Sequence, residues 1–203
     1  EEMRRTFFYL PLLLPRRYAA DRDNFQHAWD YALQLGLANE LADLANGMVM
    51  FNITPGIQPT QTTGAALSSL RRQGVPEMDE KLLILRAADL RARQTVDETH
   101  EVKDRIIALI DLLDQTSHYE LRYWLCVQLA FLWRLAGDPS LINSLIEAQS
   151  IASVLGDETL EKAALAIRLW GQVEAGRREE GTQLQLTKLL PQFESQFPDS
   201  FVL

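Results

Sequence analysis

An all-α fold is predicted by three features of this 203-residue sequence. Apolar residues recur three and four positions apart, which places them on one face of a helix. Turn signals containing glycine or proline return at an interval near forty residues along the second half of the chain. No stretch alternates apolar and polar residues as a half-buried strand does. Together these features predict helices that pack on one another in a regular series.

The first 76 residues predict less regular helices. Residues 24–35 and 37–51 have helical spacing, and Gly36 is a stop signal between them. Residues 52–64 contain two prolines and several threonines, which indicates either a long loop or a helix start capped by Thr60. A further helix is expected to end near Gln73.

The remaining chain predicts three pairs of helices. Asp138-Pro139 is a strong helix start, because aspartate accepts hydrogen bonds from free backbone N–H groups and proline fits the first turn. Ser117 with Glu120 has capping-box spacing, and Asp157 caps a further helix. Gly137, Gly156 and Gly176 are placed as stops. The predicted pairs are 77–95 with 97–115, 117–136 with 138–155, and 157–175 with 177–196.

A fixed interval indicates a repeat. Ala136-Gly137 and Ala175-Gly176 lie 39 residues apart, and stacked helix pairs share a core that no pair can build alone. Residues 175–181 resemble the turn of a tetratricopeptide repeat, with Gly181 as the small residue that opens the second helix. The Trp-Leu-Gly-Tyr spacing of that repeat is absent, and the interval overlaps the HEAT and armadillo range. The resemblance implies a right-handed superhelix of antiparallel helix pairs, forming one domain over residues 1–203.

A second resemblance is found in residues 23–33, DNFQHAWDYAL. This segment resembles the helix that follows the nucleotide-binding module in large bacterial signal-transduction NTPases of the STAND type, many of which are transcriptional regulators. The chain contains no G-x-x-x-x-G-K-[ST] motif for nucleotide phosphates. The resemblance therefore implies a helical sensor arm, with NTP hydrolysis located in another module.

Composition excludes several classes of protein. The hydrophobic fraction of 47% and the charged fraction of 24% argue against a disordered chain. A net charge of −8 argues against direct nucleic-acid binding, and the arginines near Asp89 are expected to form solvated i, i+4 pairs. A single cysteine, Cys126, indicates a reducing compartment, so we expect a cytoplasmic protein.

The apolar run Phe7–Leu14 is too short for a membrane span, which needs about 20 residues. A secretory signal is the alternative interpretation, although Pro15-Arg16-Arg17 follows where small cleavage-site residues are expected. The chain starts with Glu1-Glu2 rather than methionine. We therefore expect a piece of a longer protein that does not enter the membrane.

No catalytic, cofactor or metal site is predicted. His27, His100 and His118 have no histidine partner at helical spacing, whereas zinc needs three or four ligands. Cys126 lies in an apolar helix, where a thiol is a small buried group with a raised pKa. Paired carboxylates lie near predicted helix starts, where the helix dipole favours negative charge. These pairs are Asp79/Glu80, Asp97/Glu98 and Glu179/Glu180.

Aromatic residues are the better candidates for function. Alignment of the units on their turn glycines places Trp124, Phe131, Arg134 and Trp170 near groove-facing positions, and Trp and Arg side chains dominate interface energies. The alternative is that Trp124 and Trp170 belong to the core between repeats. Two further tryptophans, Trp29 and Trp133, are predicted core residues.

Three functions follow from these observations. The first is a non-enzymatic arm that binds a protein or peptide partner, including its own NTPase module, or a small inducer. The second is a free-standing scaffold or homodimer, and the third is a helical enzyme with a pocket between helix pairs. An open surface with exposed Trp or Arg favours binding, whereas a cavity lined with titratable groups favours an enzyme.

Overall fold

The computed structural model describes residues 22–52, 59–93, 99–114, 116–176, 185 and 187–189. Within these ranges every regular element is a helix, which confirms the predicted all-α class. Contacts divide the chain into two compact units, Glu1–Gln94 (unit 1) and Thr95–Leu203 (unit 2). The first predicted pair, 77–95 with 97–115, is therefore divided between the two units.

Unit 1 contains four described helices. The predicted helices 24–35 and 37–51 agree with the structure to within a few residues. The segment 52–64, predicted as a long loop or a helix start, is helical from Pro59 onward. Thr60 lies inside its first turn and is not the cap, because proline occupies the first helical position. Residues 53–58 lie outside the described part. The helices are α1 (Arg22–Leu35), α2 (Ala38–Asn52), α3 (Pro59–Arg72) and α4 (Glu80–Ala92).

Helix α4 packs against α2 and α3 and is buried along most of its length. It begins later than predicted, because the Asp79 carboxylate accepts a hydrogen bond from the backbone N–H of Lys81 at 3.0 Å. Glu77 precedes the helix and pairs with Arg71 at 2.8 Å. The Asp79/Glu80 pair thus marks a helix start as predicted, while Asp97/Glu98 and Glu179/Glu180 lie outside the described residues.

Unit 2 contains the helices that carry the predicted binding residues. Helix α6 contacts α5 and α8, and α8 contacts α9. The turn at Gly137, which has a positive φ of 66°, precedes a 3₁₀ helix that leads directly into α8. The elements are α5 (Thr99–Leu113), α6 (Tyr119–Phe131), α7 (Trp133–Ala136), the 3₁₀ helix (Pro139–Asn143), α8 (Ser144–Leu155) and α9 (Glu158–Glu174).

The directions of α6, α8 and α9 follow from side-chain contacts. Ser144 at the start of α8 donates to the Cys126 carbonyl at 2.8 Å, and Glu147 meets Arg122 one turn earlier on α6. Helices α6 and α8 are therefore antiparallel, as expected for the pair 117–136 with 138–155. Because the chain reverses again at Gly156, α9 runs parallel to α6. The partner predicted for α9, residues 177–196, lies almost wholly outside the described part.

Two predictions about the α6 region are wrong. The Ser117–Glu120 capping box does not form, because α6 begins at Tyr119, and the Thr116 hydroxyl accepts from the His118 N–H at 3.3 Å instead. The helix predicted to continue to Ala136 is interrupted at Leu132. There the N–H bonds to the carbonyl three residues back, at 3.2 Å, rather than four.

The cap of the 3₁₀ helix gives a pH-dependent prediction. The Asp138 carboxylate accepts from the Ser140 hydroxyl, from the Ser140 N–H at 3.0 Å and from Lys103 Nζ at 3.3 Å. These bonds hold the pKa of Asp138 below its usual value. A depressed pKa contributes stability that is present above the unfolded-state pKa and is lost as pH falls through the folded value.

We therefore expect Asp138→Ala to lower the thermal midpoint at pH 7, with a deficit that narrows below about pH 4. Thermal unfolding followed by circular dichroism at several pH values measures this difference. Asp104→Ala, at an exposed position on α5, is the matched control. A deficit that stays constant down to pH 2 would contradict the expected origin in the carboxylate charge.

None of the described helices combines the length and the apolar character that crossing a bilayer demands.

Candidate interaction surface

Trp124 lies in the core of unit 2. Its side chain is only 1% exposed, and its neighbours on α6 from Leu121 to Ala130 are buried except Arg122. A groove-facing position is therefore wrong for Trp124, and the alternative interpretation, a core residue, holds. The physical reason is that α6 is covered on more than one side, by α5 and by α8.

Phe131 and Trp170 are both half-buried. Phe131 is the last residue of α6, and Trp170 lies in the last turns of α9. Because α6 and α9 are parallel, both residues lie toward the same end of unit 2. We call this end, defined by Phe131, Trp133 and Trp170, the aromatic end.

The 3₁₀ helix holds the aromatic end together. It contacts α6, α7 and α9, and its Ile142 is 3% exposed. A Cβ atom built on Gly171 would lie 3.2 Å from Ile142 Cδ1, which is closer than ordinary van der Waals contact. The absence of a side chain at Gly171 therefore lets α9 approach the 3₁₀ helix directly beside Trp170.

The role of Gly171 was not predicted from the sequence. A signal was present, because a glycine inside an otherwise strong helical pattern often marks a close approach of two elements. Trp133, predicted to be core, is half-buried on α7. Arg134 also lies on α7, but its side chain is outside the described residues, so its predicted role stays a prediction. Trp29, in unit 1, is fully buried as predicted.

Arg122 joins three elements of unit 2. Its guanidinium bonds Glu147 of α8 at 2.5 and 2.9 Å and pairs with Asp114, directly after α5. The Arg122 side chain is 19% exposed. Burial lowers its pKa, but the hydrogen bond to Glu147 and the charges of Glu147 and Asp114 outweigh this effect and raise the pKa overall. Arg122 is accordingly a fixed cation that binds these elements to each other.

Cys126 lies one turn beyond Arg122 and is fully buried. Burial raises the pKa of its thiol, and the neighbouring Glu147 carboxylate raises it further. The thiol is therefore protonated at neutral pH, as predicted from its apolar neighbours, and a protonated thiol is a poor nucleophile.

We expect Cys126 to resist alkylation in the folded chain. Iodoacetamide at pH 8 should react more than about 100-fold faster in denaturing urea than in native buffer, because the thiolate is the reactive form. Mass spectrometry of timed samples measures both rates. Comparable rates in the two conditions would show that the thiol is accessible and activated.

Titratable groups elsewhere have structural roles. In unit 1 the residue Asp89 is 8% exposed, and its carboxylate accepts from the Thr63 hydroxyl at 2.7 Å and pairs with Arg93 at 2.7 Å. The expected i, i+4 pair is thus present, but Asp89 is buried and does not belong to a solvated face. Burial lowers the pKa of Arg91 to about 10, so its guanidinium stays charged at neutral pH. No group of three or more His, Cys, Asp or Glu side chains in the described ranges could hold a metal ion.

Several buried side-chain polar atoms in the described structure form no hydrogen bond, among them atoms of Gln128 and Trp29 and the Nε atom of Arg168. The Gln128 side chain is 0% exposed, and neither its amide nitrogen nor its amide oxygen is bonded. The indole nitrogen of Trp29 in unit 1 is also buried and forms no hydrogen bond. A buried unpaired polar group costs about 1–3 kcal/mol. Gln128 therefore lowers the stability of unit 2 relative to an apolar residue of similar size.

Comparisons with known proteins give no relative from which a role could be transferred. No protein-family model, no curated protein and no solved structure matches the chain.

Proposed function

We propose that the chain is a non-enzymatic interaction arm of a multidomain bacterial regulator. Its aromatic end binds a protein or peptide segment of the linked NTPase module, and this contact sets the activity of that module. The helix pairs belong to a tetratricopeptide-like right-handed superhelix with a period near forty residues. The arm works in the cytoplasm, without a cofactor.

The observation that carries this proposal is the position of Phe131 and Trp170. Both lie toward one end of unit 2, and both are half-buried. Aromatic side chains that are anchored in a fold yet accessible supply large contact area at a low cost in conformational entropy. They suit the apolar side chains of a partner segment.

The chemistry of the described residues supports binding over catalysis. The Cys126 thiol is buried and protonated, Arg122 is committed to two carboxylates, and Asp138 and Asp157 cap helices. Each of these groups therefore has a role in the stability of the fold, and none needs a catalytic role to explain its position. The regulatory role itself rests on the resemblance of residues 23–33 to the STAND-type helix.

The first test is the natural reading frame that contains this sequence. The proposal expects a G-x-x-x-x-G-K-[ST] motif upstream, since the family places its NTPase module before the arm. A reading frame without a nucleotide-binding module contradicts the regulatory role and leaves the free-standing scaffold.

The second test uses the full-length protein. Phe131→Ala with Trp170→Ala is expected to change the steady-state rate of NTP hydrolysis at least about fivefold, the range of a typical coupling between sites. Tyr119→Ala, at an exposed aromatic residue on the opposite end of α6, is the matched control. Unchanged hydrolysis in the double variant, with folding verified by circular dichroism, contradicts the proposal.

A cross-linking experiment identifies the contacted segment. A photoreactive phenylalanine analogue at position 170 should cross-link to the NTPase module, whereas the same analogue at position 119 should not. Equal cross-linking from both positions would mean that the contact is not specific to the aromatic end.

A further inference from the structure

Four helix ends of unit 2 lie together, opposite the aromatic end. Glu147 of α8 bonds Arg122 near the start of α6, so the last turns of the antiparallel α8 lie beside and beyond that start. The Tyr123 hydroxyl donates to the Leu160 carbonyl at 3.0 Å, which places the start of α9 beside α6. Asp114, directly after α5, pairs with the same Arg122. The ends of α5 and α8 and the starts of α6 and α9 therefore meet here.

Negative charge is concentrated where these four helix ends meet. The described residues within 111–122 and 153–162 carry six carboxylates and two cations, which gives a formal charge of −4. We call these residues the acidic end of unit 2. Its carboxylates are Asp111, Asp114, Glu120, Asp157, Glu158 and Glu161, and its cations are Arg122 and Lys162.

The aromatic end, in contrast, carries no net charge. Lys103 of α5 bonds Asp138 beside α7, which places the first turns of α5 near the aromatic end. Residues 99–105, 131–139 and 168–174 together carry four acidic and four basic side chains. The excess of negative charge therefore belongs to the other end of the unit.

Asp111 is poorly placed for the stability of its own helix. It is exposed in the last turn of α5, where the helix dipole disfavours negative charge. That turn contains no basic residue to compensate it. Glu120 and Glu158 differ, because they lie in the first turns of α6 and α9, where the dipole favours them. The charge of Asp111 is therefore better explained by a partner than by the fold.

The acidic end also exposes apolar side chains. Val154 is 65% exposed, which is the highest value for a large apolar side chain in the described ranges, and Leu155 is 37% exposed. Both residues end α8, before the turn at Gly156. Tyr119 at the start of α6 is 37% exposed, and Leu112 at the end of α5 is 36% exposed. The acidic end thus offers apolar contact area as well as charge, which suits a protein segment better than a small cation.

The sign of the charge decides which partner this surface fits. Nucleic acids and anionic lipid headgroups are repelled by carboxylates, and a second copy carries the same net charge of −8. A segment that has lysine or arginine beside apolar residues gains from both properties of the surface. We propose that the acidic end binds a basic amphipathic segment of a separate protein. This contact does not depend on the aromatic end or on the regulatory role proposed for it.

Fluorescence anisotropy with labelled synthetic peptides tests the proposal. Three peptides of about 18 residues, or about five helical turns, share one leucine face and carry Lys, Glu or Gln at every polar position. The Lys peptide should bind the chain at least about tenfold more tightly than the Glu peptide, because its charges oppose those of the acidic end. The Gln peptide should have an intermediate affinity.

Matched pairs of substitutions locate the site of binding. Asp111→Asn with Glu158→Gln removes two charges from the acidic end and should weaken binding of the Lys peptide at least about fivefold. Glu101→Gln with Asp104→Asn removes two charges near the aromatic end and should weaken it less than about twofold, because distant exposed charges are screened. Glu101 and Glu158 are each paired with a cation four residues ahead. The two double variants therefore differ mainly in position.

Replacement of Val154 by serine tests the apolar part of the surface. Val154→Ser should weaken binding of the Lys peptide at least about threefold, because it removes exposed apolar area from the contact. Ile146→Ser is the matched control, because Ile146 is 54% exposed on the same helix but lies near its start, away from the acidic end. Its affinity should equal that of the wild type.

Three outcomes would overturn the proposal. One is a Lys peptide that does not bind, or that binds no more tightly than the Glu peptide. Another is an equal loss in the two double variants, because the attraction would then come from the net charge of the whole chain. The third is unchanged affinity in Val154→Ser, which would remove the apolar residues from the contact. Circular dichroism of every variant ensures that loss of the fold is not scored as loss of binding.

Discussion

Replacement of Trp124 by alanine is expected to lower the free energy of unfolding by about 3–5 kcal/mol. The side chain is 1% exposed and lies within the longest run of buried residues on α6. Alanine removes most of the contacts of the indole ring, and the surrounding helices can close the resulting cavity only in part. A loss of this size is a large fraction of the stability of a typical domain.

Urea denaturation followed by far-ultraviolet circular dichroism measures this change without relying on tryptophan fluorescence. Tyr119→Ala is the matched control, because this aromatic residue begins the same helix but is 37% exposed. Its expected cost is below about 1 kcal/mol. If the two variants lost equal stability, or if Trp124→Ala lost none, the core position of Trp124 would be wrong.

Replacement of Arg122 by methionine is expected to cost about 1–3 kcal/mol. Methionine preserves much of the apolar stem but removes the charge that pairs with Glu147 and Asp114. Glu147 is then left half-buried and without its cation. The cost is below that of a fully buried pair, because water reaches both carboxylates.

The control for Arg122 is Arg105→Met. Arg105 also pairs with a glutamate, Glu101, but both side chains are more than half exposed, so a change below about 0.5 kcal/mol is expected. Glu147→Gln combined with Arg122→Met should cost less than the sum of the single variants, because the two residues share one interaction. Additive costs would show that Arg122 and Glu147 do not stabilise each other.

Local signals made several helix boundaries predictable. Asp138 before Pro139, and Asp157 before Glu158, each bond a backbone N–H two residues ahead. Such bonds need only neighbouring residues, so they can be predicted from the sequence alone. The stop at Gly156 depends on a left-handed backbone conformation that glycine adopts without strain, which is also a local property.

Features that depend on distant contacts were not predictable. Trp124 and Trp170 were both expected near the groove, yet only Trp124 is fully buried, because burial depends on which helices cover each position. The interruption at Leu132 has no glycine or proline to announce it. The close approach of Gly171 to Ile142 joins residues that are far apart in the chain. For the same reason only two residues of the aromatic end, Phe131 and Trp170, were predicted from the sequence to face the groove.

Gln128 has a consequence for engineering and for selection experiments. Its buried, unpaired amide means that unit 2 does not have the most stable residue at this position. Methionine has a similar length and no polar atoms that need partners. A library selected for heat resistance alone should accumulate methionine or leucine at position 128. A library selected for the activity of the full-length protein would keep glutamine there only if the amide contributes something other than stability.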